Sequence, residues 1–282
     1  MARTETLTRG TAAERLLRNA RYEVLPTKTI EEKVLAAVPK DVALTVTASP
    51  AKGIEQTVDL AERFAGHGYR VVPHLSARLI RDGAHLADLV ARCTAAGITA
   101  VFVPAGDADP PAGEYDAALP ALAELSRMGS PFSTVGITGY PESHPSIDDD
   151  VTVQAMWDKR SHATEIVSNL CFDPSAIAGW VKRVRRRGVT LPIQVGIAGP
   201  VEATKLLSMA TKVGVGESTR FLTKHAGWFA RLANPGYTPE RLLNRLAKEV
   251  GDPEWGLAGL HVFTFNQVAE TEAWRRRLLG EG

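Results

Sequence analysis

The chain has 282 residues, 44% hydrophobic and 23% charged, with a formal net charge of +1. That balance fits one large α/β domain or two small ones and offers no basis for a nucleic acid or membrane partner. No apolar run approaches the roughly 20 residues that span a bilayer, Met1 to Arg18 lacks the apolar centre of a secretory signal, and the only cysteines, Cys93 and Cys171, have no metal-site spacing and fit a reducing cytoplasm.

The first strand-like run is Arg21–Leu25, and it carries Glu23 at its centre. A carboxylate in a strand destined for burial is costly unless it is paired or given chemical work. The plainer alternative is a surface glutamate at a strand end. Thr29-Ile30-Glu31-Glu32 follows as a capping box opening a helix. Ala43–Ala48 reads as the second strand. Ile54, Val58, Ala61 and Ala65 then share one helical face, and Gly68 stops that helix.

Arg70–Leu75 and Thr99–Pro104 are the third and fourth strands, with Gly97 ending the helix between them. Thr134–Thr138, Glu165–Phe172 and Ile193–Ile197 continue the series. Asp173-Pro174 supplies a cap and a first-turn proline for the helix that Gly188 ends. A long stretch then holds Gly214 as a stop, a helix over Glu217–Arg231, and another from the Thr238-Pro239 cap to Val250. Leu260–Phe265 is the eighth strand.

Eight apolar strands alternating with helices predict a (β/α)8 barrel. A doubly wound open sheet would carry a Gly-rich turn after its first strand, but here Leu25-Pro26-Thr27-Lys28 follows. The expectation is one barrel domain over 1–282, with 1–18 as an N-terminal extension and 215–255 as a helical insertion at the rim. No internal repeat or linker divides it.

Such a barrel works at the C-terminal ends of its strands, which directs attention to the polar residues there. They are Glu23 and Thr27, Thr47 and Ser49, His74, Asp107, Tyr140 with His144, Asn169, Gln194, and Thr264 with Asn266. A lone His74 is commonly a hydrogen-bonded rim residue, and Asp107 equally caps the following proline turn. Asn169 and Gln194 in apolar strands are harder to set aside, since an unpaired buried amide costs roughly 1–3 kcal/mol. Amides at a barrel mouth suit a heterocycle with donors and acceptors. The Lys182–Arg187 run is a solvated helix end favoured by the dipole. His74, His144 and His162 lack metal-ligand spacing, and no metal site is expected. With no nucleophile elbow and no phosphate-loop lysine, one acid among neutral hydrogen-bonders fits redox or proton-assisted chemistry on an uncharged ring.

In order, Tyr22-Glu23-Val24-Leu25-Pro26, Thr45-Val46-Thr47, Pro73-His74-Leu75, Gly106-Asp107, Tyr140-Pro141-Glu142-Ser143-His144-Pro145 and Cys171-Phe172-Asp173 resemble the methylenetetrahydrofolate reductases. Pro192–Ile197 and Val262–Asn266 extend the resemblance over nearly the whole chain. It implies a (β/α)8 barrel that reduces 5,10-methylenetetrahydrofolate to 5-methyltetrahydrofolate. Glu23 then takes the place of the catalytic acid, protonating the folate as its five-membered ring opens to an iminium cation. An acid of this kind must be protonated at working pH, which burial favours. By the same resemblance Asp107, Asn169, Gln194, Phe263 and Phe265 are substrate-binding residues. Thr47, His74, Tyr140, His144 and Lys159 are cofactor-binding residues.

Two departures from the family pattern bear on the cofactor. Ala105-Gly106-Asp107 stands where flavin-dependent members have Arg-Gly-Asp, and Lys159–Thr164 keeps the lysine of a flavin-site pattern but not its glycine. Losing a charge-assisted clamp on a pyrophosphate costs a few kcal/mol, unless Arg78 or Arg160 replaces it. The expected donor is therefore NADH, with NADPH as the alternative, transferring hydride directly and without FAD. Rival expectations are an FAD enzyme with ping-pong transfer, a deazaflavin-dependent reductase, and a non-catalytic folate-binding accessory protein. The partner expected is the small-molecule folate, on a monomer or small homo-oligomer.

Overall fold

Aliphatic and β-branched runs form eight short strands in the computed structural model, which describes residues 10–142, 144, 147–201 and 239–281. They are β1 Arg21–Val24, β2 Ala43–Val46, β3 Val71–Pro73, β4 Ala100–Phe102, β5 Thr134–Gly139, β6 Glu165–Ser168, β7 Ile193–Ala198 and β8 Leu257–Phe263. They pair in the order β3-β2-β1-β8-β7-β6-β5-β4, and each adjacent pair in that order is parallel. The outer strands meet through a parallel bridge between His74 and Phe102. Beyond it, the Leu75 and Ala77 amides donate to the carbonyls of Phe102 (2.8 Å) and Pro104 (2.9 Å). The sheet thereby curls onto itself as a (β/α)8 barrel, which leaves little open edge.

Helices follow the strands in turn: α2 Ile30–Ala37, α3 Gly53–Gly66, α4 Gly83–Ala95, α5 Ala118–Arg127, α6 Asp149–Lys159, α7 Pro174–Arg186, α8 Pro239–Val250 and α9 Val268–Leu279. An earlier helix, α1 Ala12–Arg18, buries Leu16 and Leu17 and packs on β8 and α8. The helix expected from Pro239 is α8. It lies against α7, and the Trp274 indole of α9 donates to its Glu240 (3.0 Å). Gly214, the Glu217–Arg231 helix and the Thr238 cap lie outside the described residues. No described helix is long and apolar enough to cross a membrane.

Strand alternation sorts the side chains of β1. Tyr22 points outward, where its hydroxyl donates to Glu272 of α9 (2.7 Å), while Arg21 reaches across the barrel to Glu165 of β6 (2.8 Å). Glu23 shares the inward face with Arg21, which removes the surface-glutamate alternative. The main core lies between strands and helices, and Val72, Phe102 and Val167 form a second, smaller apolar cluster. Gly97 and Gly188 end their helices with φ of 73° and 79°, the left-handed turn their sequence positions imply.

Two local expectations need correction. Thr29 precedes α2 but its side chain makes no capping bond, because its φ and ψ of −110° and 1° depart from extended cap geometry. The neighbouring Glu31 ties this first turn to Arg63 (2.7 Å) and His67 (2.9 Å). The sixth strand ends at Ser168, four residues before Phe172. There the Ser168 hydroxyl, not a backbone carbonyl, accepts the Gly196 amide (2.8 Å), and the Asn169 side chain accepts the Leu170 amide (2.8 Å). Side chains thus take over ladder bonds, and pairing resumes only at Cys171. Gly196 is required for this approach, since a Cβ there would lie 2.4 Å from the Ser168 carbonyl oxygen.

Candidate active site

Glu23 sits one residue before the C-terminal end of β1, in register with Thr45 of β2 and Phe263 of β8. Its Oε2 lies 2.9 Å from Nε2 of His261, an inward-facing residue of β8. Glu23 is 9% exposed, His74 4% and His261 2%, so all three are held largely out of bulk water. One donor atom from each falls within 4.8 Å of the others, the one such cluster among the described residues. The His74 and His261 rings are 5.9 Å apart and tilted by 31°. Phe102 meets His74 edge-on at 4.8 Å, and Phe263 meets His261 at 4.9 Å. These aromatic edges wall the polar cluster on two sides.

The cluster keeps unused hydrogen-bonding capacity. Nε2 of His74 and Oγ1 of Thr45 are buried and have no partner among the described residues. Burial, helped by the nearby His261, pushes the His74 imidazole well below its ordinary range, so it is neutral near pH 7. Buried atoms left unsatisfied concentrate where a ligand or ordered water completes the site. Glu23 and His261 already engage each other, so the arrangement reads as a carboxyl–imidazole pair beside a neutral imidazole.

The end of β8 fixes this pair from the backbone side. The Thr264 hydroxyl donates to the Glu23 carbonyl (2.6 Å). Asn266 acts as a peptide mimic: its Oδ1 accepts the Leu25 amide (2.8 Å), and its Nδ2 donates to the Leu25 carbonyl (3.0 Å). Phe265 and Asn266 both adopt left-handed backbone, with φ of 50° and 58°. For a phenylalanine that conformation costs on the order of 1–3 kcal/mol. The Asn266 bonds to β1 help offset it and hold the turn.

The other residues singled out from sequence spread around this centre. Phe263 borders the cluster, and half-buried Thr47 donates its amide to the Val24 carbonyl (3.0 Å) just past Glu23. Tyr140 and His144 form a separate edge-on pair at 5.0 Å. Burial raises the Tyr140 hydroxyl, a hydrogen bond with Thr138 opposes the shift, and the charge of Asp107 adds to it. Asn169 lies in the turn after β6. Gln194 stands lower in the barrel: it pairs with Gly259, whereas Gly196 pairs with His261. Its Oε1 is buried without a partner among the described residues. Lys159 is buried at the end of α6 with no ion pair or hydrogen bond among the described residues, and desolvation brings its ammonium down to about 8.

His74, His144 and His162 do not converge. His74 joins Glu23, His144 stacks on Tyr140, and His162 bonds the Ser126 hydroxyl (2.7 Å). His261 was absent from the sequence-based candidates. The available signal was strand alternation, since His261 is two residues from inward-facing Phe263 and shares its face.

The end of β4 tests whether the chain suits a flavin pyrophosphate. Ala105 offers no cation there. Arg78 is engaged with the carbonyls of Ala108 (2.6 Å) and Asp116 (3.1 Å), and Arg160 lies over Trp157 at 3.5 Å. The two arginines that would replace the missing clamp therefore serve local structure, and this part of the site does not fit the group.

Residues 27–219, more than half of the chain, match a family model described as methylenetetrahydrofolate reductase. Among solved structures, the chain is similar to oxaloacetate acetylhydrolase, with a TM-score of 0.53 and 12% sequence identity over 96% of this chain and 86% of that one. It is also similar to a putative lyase/mutase from Burkholderia cenocepacia, with a TM-score of 0.50 and 16% identity over 95% and 85% of the two chains. At such identities the likeness concerns the fold alone.

Proposed function

Because the chain belongs to the methylenetetrahydrofolate reductase family, we propose that it reduces 5,10-methylenetetrahydrofolate to 5-methyltetrahydrofolate with hydride taken directly from NADH. The observation that carries this reading is the buried Glu23, held at the C-terminal end of β1 beside unsatisfied polar atoms. In this reading Glu23 gives its proton to the ring nitrogen that departs as the imidazolidine opens. The electron pair of the broken carbon–nitrogen bond stays on that nitrogen, and an iminium remains on the other. Hydride from NADH reduces the iminium carbon to a methyl group and leaves NAD+. Solvent then reprotonates Glu23.

Stacking the nicotinamide against the pterin would supply much of the acceleration through proximity. Phe263, beside His261, is placed to cover one of these rings. Asn169 and Asp107 remain proposed pterin contacts, and Tyr140 and His144 proposed nicotinamide contacts. The poor fit at the end of β4 supports transfer without a flavin. Lys159 is the observation that favours the FAD-dependent rival, because a buried ammonium with no partner among the described residues suits a pyrophosphate.

The test is anaerobic oxidation of NADH by the purified protein with methylenetetrahydrofolate and no added flavin. We expect loss of NADH matched by methyltetrahydrofolate formation, in a preparation without flavin absorbance. A yellow protein, or turnover only after FAD addition, would transfer the reading to the ping-pong rival.

A further inference from the structure

We infer that His261 is a positioning residue for the acid: its Nε2–H holds Glu23 Oε2, so that Oε1 is the oxygen that carries the proton to the substrate. The inference rests on the folate-reductase reading but not on the identity of the hydride donor, since the same acid serves either one.

Four observations support it. The Nε2–Oε2 separation is 2.9 Å, and both groups are largely buried, so water competes little for the bond. His261 lies on β8, and Thr264 and Asn266, just past the end of that strand, bind the Glu23 carbonyl and the backbone of Leu25. One strand and the turn that follows it thus fix the carboxyl group and its peptide together. Phe263 packs on the His261 ring edge-on and limits its rotation. Finally, among the described residues the charged and titratable groups near Glu23 are few. β3 contributes His74, which is neutral, and β8 contributes His261. On β1 itself Arg21 is committed to Glu165 of β6. Thr45 of β2 and Phe102 of β4 carry no charge. His261 is therefore the group placed to answer the negative charge that appears when Glu23 gives up its proton.

The bond does different work before and after transfer. Before it, the Nε2–H donates to a neutral carboxylic acid and orients it. Afterwards the same donor meets a carboxylate, and a charge-assisted bond is roughly twice as strong. The proton moves from Oε1 to the departing nitrogen, while His261 keeps its own proton throughout. Stabilisation that grows as charge develops lowers the barrier, whereas uniform binding does not.

His261→Phe and His261→Gln separate this role from simple packing. Wild-type turnover of methylenetetrahydrofolate is established first with NADH and, failing that, with added flavin. Absence of turnover with any donor would remove the functional reading, and this inference with it. In His261→Phe, kcat should fall roughly 10- to 100-fold, with the KM for the hydride donor changed less than about threefold. The basic limb of its kcat–pH profile should move up by about one pH unit, because the bond favouring the ionised acid is lost. His261→Gln, whose amide can still donate, should return much of the rate and keep the limb near its wild-type position. A loss of rate with an unmoved limb in both variants, or unchanged kcat in His261→Phe, would overturn the assignment. Stoichiometric metal in the purified protein that both variants lose would overturn it too. If His261→Phe fails to fold, a loss of rate in folded His261→Gln as large as that expected of the Phe variant still overturns the assignment.

Discussion

Replacing Glu23 by Gln preserves the size of the side chain and an acceptor toward His261 while removing the proton to be transferred. The expected result is a fall in turnover of about 100-fold or more, with methylenetetrahydrofolate affinity largely retained in a binding titration. Full activity in Glu23→Gln would discard the acid role. Lys159 makes a different prediction. Burial lowers its ammonium from 10.5 to about 8, so the folded state binds fewer protons there than the unfolded state. The resulting destabilisation is fully present below pH 8 and is relieved as pH rises toward 10.5. Lys159→Met should therefore stabilise the protein at pH 7 by an amount on the order of 2–3 kcal/mol. The gain should shrink toward pH 10, as read by denaturant midpoints of both proteins. Equal midpoints at pH 7 would show that an anion or water already compensates the ammonium. At this scale Glu23 was legible because a carboxylate in an apolar strand breaks the local pattern. His261 was not, because a histidine in such a strand passes for core and its partner lies 238 positions away.

The elements are joined by buried polar links as well as by apolar packing. Tyr22 of β1 donates to Glu272 of α9, and Arg275 grips the same carboxylate with two bonds, at 2.9 and 3.0 Å. Both ionic partners are nearly inaccessible, and burial with the Glu272 charge raises the Tyr22 hydroxyl far above its ordinary value. Removing one member of such a set leaves the other charge uncompensated. Glu272→Gln should lower stability by about 3–5 kcal/mol in urea unfolding; a loss below about 1 kcal/mol would mean that the network is not sustaining the β1–α9 contact. Periodicity located every strand and most helices, since that signal is carried by neighbouring residues. The end of β6 escaped it, because Ser168 and Asn169 replace ladder bonds with side-chain bonds that hydropathy does not register. Thr29 shows the same limit: the spacing of Thr29 and Glu32 suits a capping box, but the backbone at Thr29 departs from cap geometry and its side chain makes no capping bond.

Across the whole molecule, eight repeats of strand and helix announced the barrel, and Glu23 and His74 stand at the C-terminal ends of their strands, as strand position implies. Apolar alternation is written locally, and right-handed parallel connections leave few ways to assemble that many units. The sequence by itself therefore determined the architecture, the inward acid and the family motifs. The tertiary structure decided which groups meet. Register between β1 and β8 sets His261 against Glu23, closure between β3 and β4 brings His74 beside them, and the lower position on β7 separates Gln194 from both. These pairings depend on strand stagger and barrel closure, which are properties of long-range contacts that no local window contains.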